Sequence, residues 1–95
     1  MSGSEIYEQA IKTFGPKQQI IKAIEELSEL VTALARYSLG EGDLDNIAEE
    51  IADVEVMCEQ LIMIFKNRRQ VLKIKDQKTE RLRRMLVSVE CGRGK

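Results

Sequence analysis

The chain has no histidine, no tryptophan, one proline, two cysteines and only four aromatic residues in 95. Without histidine it lacks the usual ligand for Zn²⁺, Cu²⁺ or a ferritin-like di-iron centre, and also the commonest general base. With so little proline, and with its six glycines mostly near the ends and in one loop, little interrupts long helices. Cys58 falls in an apolar stripe and Cys91 in a polar stretch, which reads as one buried and one exposed thiol rather than a disulfide. No apolar run approaches the roughly 20 residues that cross a bilayer. The stretch Met1-Ser2-Gly3-Ser4-Glu5 also lacks the basic and apolar regions of a signal peptide, so a cytoplasmic protein is expected.

What is present is aliphatic and charged: 43% hydrophobic and 33% charged residues, the mixture of a helix bundle. The length allows one domain, expected over residues 1–90 with residues 91–95 as a disordered tail. A core this small gains from pairing with copies of itself, so a homodimer or homotetramer is expected. The net charge of −1 hides an asymmetry, since residues 1–65 carry 13 acidic and 4 basic side chains while residues 66–95 carry 3 and 11. Three arrangements fit: an acidic metal-binding half beside a basic phosphate-binding half, helices that pair electrostatically, or a basic helix that meets nucleic acid. The last lacks the aromatic interleaving that stacks bases.

Periodicity predicts four helices. The first covers about Ser4 to Phe14, with Ser4 as N-cap, and Gly15-Pro16 breaks it. The second runs from Pro16 to Leu39, its stripe Ile20, Ile24, Leu27, Val31, Leu34 following the 4-3-4-3 spacing of a bundle seam. After the loop Gly40-Glu41-Gly42-Asp43, capped by Asp43 or Asp45, the third extends to about Lys66 on the stripe Ile47, Ile51, Val54, Cys58, Leu61, Phe65. Val56, Met57, Ile62, Met63 and Ile64 make its last two turns apolar nearly all round, the mark of a helix buried at a subunit interface. A fourth, basic helix follows to about Val87, anchored by Val71, Ile74, Leu82 and Leu86.

Glu26-Leu27-Ser28-Glu29 and Glu50-Ile51-Ala52-Asp53 each set two carboxylates three residues apart on one helical face. Like charges at helical-neighbour spacing destabilise a helix by roughly 0.2–0.5 kcal/mol per pair. A single such motif is commonplace on helix surfaces. Two of them on consecutive helices, joined by a loop short enough to force an antiparallel hairpin, bring four carboxylates to one level. Such oxygens suit hard divalent cations, Mg²⁺ or Mn²⁺. Both pairs lie off the main apolar stripes, on a second face that turns apolar through Met57 and Ile64 rather than staying polar. Glu25 and Glu49 point away from it, as surface or supporting groups.

This pattern resembles the MazG-like nucleoside triphosphate pyrophosphohydrolases of the all-α NTP pyrophosphatase superfamily, whose signature is ExxE followed by ExxD. Here the two motifs are separated by 20 residues, with Phe14-Gly15 and Gln18-Gln19 upstream, over a resemblance that spans about Phe14 to Leu86. The resemblance implies an all-α antiparallel helical hairpin with flanking helices, its bundle completed by oligomerisation. It implies Mg²⁺-dependent hydrolysis of a nucleoside triphosphate to monophosphate and pyrophosphate, with Glu26, Glu29, Glu50 and Asp53 as metal ligands. Glu29 or Glu26 would orient or deprotonate the attacking water. Lys78, Arg81 and Arg84 are candidates for the phosphate tail, Gln19 and Lys22 for base or phosphate contacts. The tryptophans that some relatives stack on the base are absent, leaving Phe14 and Tyr37. The competing expectation is a non-catalytic helical module that binds nucleic acid or a protein through residues 66–95.

Overall fold

The computed structural model describes residues 1–93, in which four helices and no strand form an all-α fold. The helices are α1 (Gly3–Phe14), α2 (Pro16–Ser38), α3 (Leu44–Phe65) and α4 (Arg68–Arg93). The first cap lies two residues earlier than the sequence predicts: Ser2, not Ser4, accepts the Glu5 amide through its hydroxyl at 3.2 Å. Gly15, at φ 90°, turns the chain between α1 and α2, and Pro16 occupies the first turn of α2, where its missing N–H goes unneeded.

The α2–α3 connection follows from its residues. Gly40 takes a positive φ of 79°, and the amides of Gly40 and Glu41 return to the carbonyls of Tyr37 and Arg36, which closes α2 with a Schellman turn. Asp43 then caps α3 by accepting the Asp45 amide at 2.9 Å. Two long helices so joined fold back on each other, and the α2–α3 hairpin is the main packing unit of the chain.

The hairpin does not close on the stripes that periodicity singles out. The buried residues of α2 are Gln19, Ala23, Glu26 and Ala33, and those of α3 are Met57 and Gln60. The α2 contact face therefore repeats every four and three residues one step away from the Ile20–Leu34 stripe, with two alanines that let the helix axes approach. Ile24, Leu27, Val31 and Leu34 remain exposed, Val31 by 66%, and on α3 Ile51, Cys58 and Phe65 are exposed as well. Cys58 is thus not the buried thiol that its stripe suggests.

Going round each helix, the apolar stripe lies to one side of the contact face, while Glu29 on α2 and Asp53 on α3 lie to the other. In an antiparallel pair both stripes then share one broad face of the hairpin, opposite the acidic motifs. α1 packs on both α2 and α3 and supplies part of the cover for the apolar end of α3, where Leu61 to Ile64 are half-buried.

α4 departs from this body. Lys66, at φ 53°, ends α3 in the left-handed region and redirects the chain. α4 then touches α3 alone, and every residue from Leu72 to Gly92 is exposed. The radius of gyration is 17.5 Å, against about 12 Å for a compact domain of this length. The helix continues to Arg93, past the end expected near Val87, so Cys91 to Arg93 belong to it rather than to a disordered tail; residues 94–95 lie outside the described residues. No helix among the described residues is long and apolar enough to cross a membrane.

Candidate metal centre

The register of the hairpin sets the site. Gln19 meets Gln60 at one end, its Nε2 donating to Oε1 of Gln60 at 2.7 Å. Ten residues further along α2 and ten back along α3, Glu29 faces Glu50, with a carboxylate oxygen of each within 4.8 Å of the other. The same register places Glu26 near Asp53. One oxygen from each of Glu26, Glu29, Glu50 and Asp53 lies within 4.8 Å of the other three. The four side chains that the two motifs predict converge, and they could hold a metal ion.

Burial within the cluster is graded. Glu26 is 7% exposed, Glu50 is half-buried, and Glu29 and Asp53 are exposed at the mouth. Oε2 of Glu26 and Oε2 of Glu50 are buried without a hydrogen-bond partner. A buried acceptor left unpaired is costly, and a cation is the partner that two converging carboxylate oxygens call for. Burial, and after it the charge of Glu29, pushes the Glu50 carboxyl above its ordinary value; Asp53 and Glu26 add to the shift. All three acids are like-charged neighbours, so a divalent ion would reverse what they do to Glu50.

Two cations stand near the cluster: Arg36 lines a pocket with Glu29 and Glu50, and Lys22 pairs with Glu26. Lys22, one turn before Glu26, places its ammonium 3.0 Å from Oε1 of that residue. Of the candidate substrate contacts, Lys22 therefore touches the carboxylates, and Gln19, one turn before it, joins it in lining a cleft of about 490 Å³ with Phe14, Ile21, Met57 and Gln60. Lys78 and Arg81 do not join them: α4 has no packing contact with α2, and both side chains are exposed on the projecting helix. Within one chain they are not brought to the carboxylates by any packing of α4 on α2. Tyr37 is at the opposite end of α2 and lines no part of the cleft.

Gln60 is the site residue that sequence reasoning passed over. Its signal was available, since Asp53, Met57, Gln60 and Ile64 follow one another at 4-3-4 spacing, and an uncharged amide there interrupts an apolar run.

No protein-family model, curated protein or solved structure matches the chain. What the fold and the site define is a helical hairpin whose four paired carboxylates could hold a metal ion.

Proposed function

We propose that the chain is a Mg²⁺-dependent nucleoside triphosphate pyrophosphohydrolase, which cleaves its substrate to monophosphate and pyrophosphate. The observation that carries the reading is the convergence of Glu26, Glu29, Glu50 and Asp53 from two helices, with two of their oxygens buried and unpartnered. An all-oxygen, histidine-free donor set fits Mg²⁺ or Mn²⁺ better than a softer metal. When held by these four carboxylates, such an ion would supply Lewis-acid chemistry, offsetting phosphate charge in the transition state and acidifying an attacking water.

The residues divide the remaining work by position. Glu26 and Glu50, the more buried pair, are the fixed ligands, held by packing in one geometry. Glu29 and Asp53 at the mouth complete the set, and Glu29, exposed and next to Glu50, is the carboxylate placed to orient a water and accept its proton. Lys22 can leave Glu26 for a substrate phosphate, since its four-carbon stem is flexible and its side chain 53% exposed. The test is product analysis. Wild-type protein with Mg²⁺ and a panel of nucleoside triphosphates should release pyrophosphate and monophosphate; orthophosphate and diphosphate, or no turnover of any, would refute the reaction.

A second reading draws on α4, which projects exposed from the body with nearly all the basic residues of the C-terminal third. In that reading the protein is a helical module and α4 meets nucleic acid or an acidic partner. Binding that weakens steeply with salt and ignores the carboxylate motifs would favour it.

A further inference from the structure

The buried amide pair raises a question that the metal centre leaves open. Gln19 is 8% exposed and Gln60 only 4%, deeper than any leucine, isoleucine or valine of the chain. Two aliphatic side chains of that size would fill the space between α2 and α3 without burying amides. Burial of amides is tolerable only where their hydrogen bonds are made. Each carboxamide can donate twice and accept twice, yet the pair makes one strong bond, from Gln19 Nε2 to Gln60 Oε1. The amide of Gln60 otherwise reaches only the Met57 sulfur, at 3.9 Å, and Oε1 of Gln19 has no partner within the chain. Neither atom is among the buried polar atoms left without a partner, so Gln19 Oε1 keeps an acceptor and Gln60 Nε2 a donor that a group in the cleft can use.

Both residues line the 490 Å³ cleft, whose other walls include Phe14, Ile21 and Met57. Flat apolar surfaces around a small polar patch suit an aromatic heterocycle. The cleft also has a direction. Gln19, Lys22 and Glu26 succeed each other along α2, with Lys22 lining the cleft and touching Glu26 of the carboxylate cluster at the same time. From Gln19 to Glu26 is about 10 Å along the helix axis, so a ligand with a ring in the cleft can set an anionic tail on the carboxylate side.

We infer that the cleft binds the nucleobase of the substrate, with Gln19 Oε1 accepting from and Gln60 Nε2 donating to adjacent groups on the base edge. The inference rests on the pyrophosphohydrolase reading for its phosphate end. The Gln19–Gln60 pair is then the specificity device, and Phe14 the stacking surface, of a chain that has no tryptophan. All four bases present a donor beside an acceptor on their edge, guanine through N1–H and O6, so the pair ranks them by how those groups meet one fixed acceptor and one fixed donor.

The test compares kcat/KM for ATP, GTP, CTP and UTP with that for ribose 5-triphosphate, which has no base. Wild type, Gln19→Met, Gln60→Met and Phe14→Ala are measured with Mg²⁺. Methionine keeps the length and burial of glutamine and removes its amide, while Phe14 is 61% exposed and its loss leaves the core intact. The two amide variants should compress the spread among bases by about tenfold or more and leave ribose 5-triphosphate within about twofold. Phe14→Ala should raise KM for all four nucleotides and spare the baseless substrate. Equal loss on ribose 5-triphosphate and on nucleotides would make the pair a structural element only, and an unchanged base ranking would equally overturn the inference. If the wild type hydrolyses nothing, the function fails first and the cleft is judged separately, by NMR of the side-chain amides of Gln19 and Gln60 during titration with free nucleosides. Shifts abolished by Phe14→Ala would uphold base binding, and their absence for every nucleoside would end it.

Discussion

The ammonium of Lys22 lies 3.0 Å from Oε1 of Glu26, one helical turn away and on the same face of α2. The hydrogen bond and charge of Glu26 hold the Lys22 pKa above its ordinary value, so the lysine stays cationic beside the acidic cluster. It is a tethered counter-ion on Oε1, and its charge opposes a divalent metal at the unpartnered Oε2. Lys22→Met should therefore tighten binding of Mn²⁺ alone by roughly two- to fivefold, the range of an exposed ion pair, measured by calorimetry. The same change should slow turnover, because the phosphate loses its cation. Weaker metal binding in the variant would show that Lys22 supports the ligands instead of competing with the ion.

Glu50 gives the cluster a pH dependence with a definite sign. Its carboxyl is held above its ordinary value by burial first and by Glu29 second. A carboxyl with a raised folded pKa is protonated more readily in the folded chain. Its contribution to stability is present below the unfolded value and is lost as pH rises through the folded one. Metal binding runs the other way, since the ligands must be deprotonated. In chelator, the melting temperature of wild type relative to Glu50→Gln should fall as pH rises through and above the ordinary carboxylate range. With Mg²⁺, the gain over chelator should grow across the same window in wild type. A metal-induced gain that does not change with pH would count against Glu50 as a ligand.

The site was more legible in the sequence than the packing around it. Glu26, Glu29, Glu50 and Asp53 could be placed together because spacing on a helix and a short loop leave few ways to arrange two antiparallel motifs. The apolar stripe Ile24-Leu27-Val31-Leu34 was just as visible, but periodicity reports which face is apolar and not what covers it. The hairpin closes on Ala23, Ala33 and the amide pair, where small and polar residues give a weak hydrophobic signal. Lys78 and Arg81 were readable as a basic face of one helix, whereas the course of α4 depends on the single left-handed residue Lys66, which nothing in its side chain announces. Gln60 sits within turns that are otherwise apolar, which masks a single amide.

That division makes the loop a point of control over the site. A Cβ built on Gly42 would come within 2.6 Å of both the Cα and Cβ of Tyr37. Backbone of α2 cannot yield as a flexible side chain would, so Gly42→Ala should cost about 1–3 kcal/mol of stability, read by denaturant unfolding. Since the loop sets the register that brings Glu29 opposite Glu50, Mn²⁺ affinity should drop in the same variant. Gly3→Ala, with open space around the added methyl, is the control and should change neither. Full retention of both in Gly42→Ala would mean that the hairpin register does not depend on this contact.

The exposed stripes predict assembly. Ile24, Leu27, Val31, Leu34, Ile51 and Phe65 are each more than 40% exposed and share the face opposite the carboxylates. So large an apolar area is seldom left bare. Two such hairpins placed back to back would make a four-helix bundle with the acidic mouths outward. Sedimentation at micromolar concentration should give a dimer or tetramer, and Val31→Glu should shift it towards monomer while its helices persist by circular dichroism. A wild-type monomer with full helix content would end this argument.

Asp53→Asn separates the enzyme from the binding module. The substitution keeps size and removes one charge at the mouth of the cluster, where the side chain is exposed and makes no hydrogen bond that the fold needs. If the four carboxylates position a metal and a triphosphate, turnover should fall by about two orders of magnitude or more, as for loss of a group that acts mainly in the transition state, with the melting temperature in chelator unchanged or raised by relief of repulsion. Lys78→Ala with Arg81→Ala should then have little effect unless a second copy brings α4 to the site. The module reading expects the reverse: Asp53→Asn is silent, whereas the pair of α4 substitutions abolishes binding to nucleic acid and flattens its salt dependence, each lost phosphate contact lowering the slope by about one. Measured together on one preparation, the two variants leave only one of these accounts standing, because no arrangement of the hairpin makes Asp53 dispensable to the metal and essential to the basic helix.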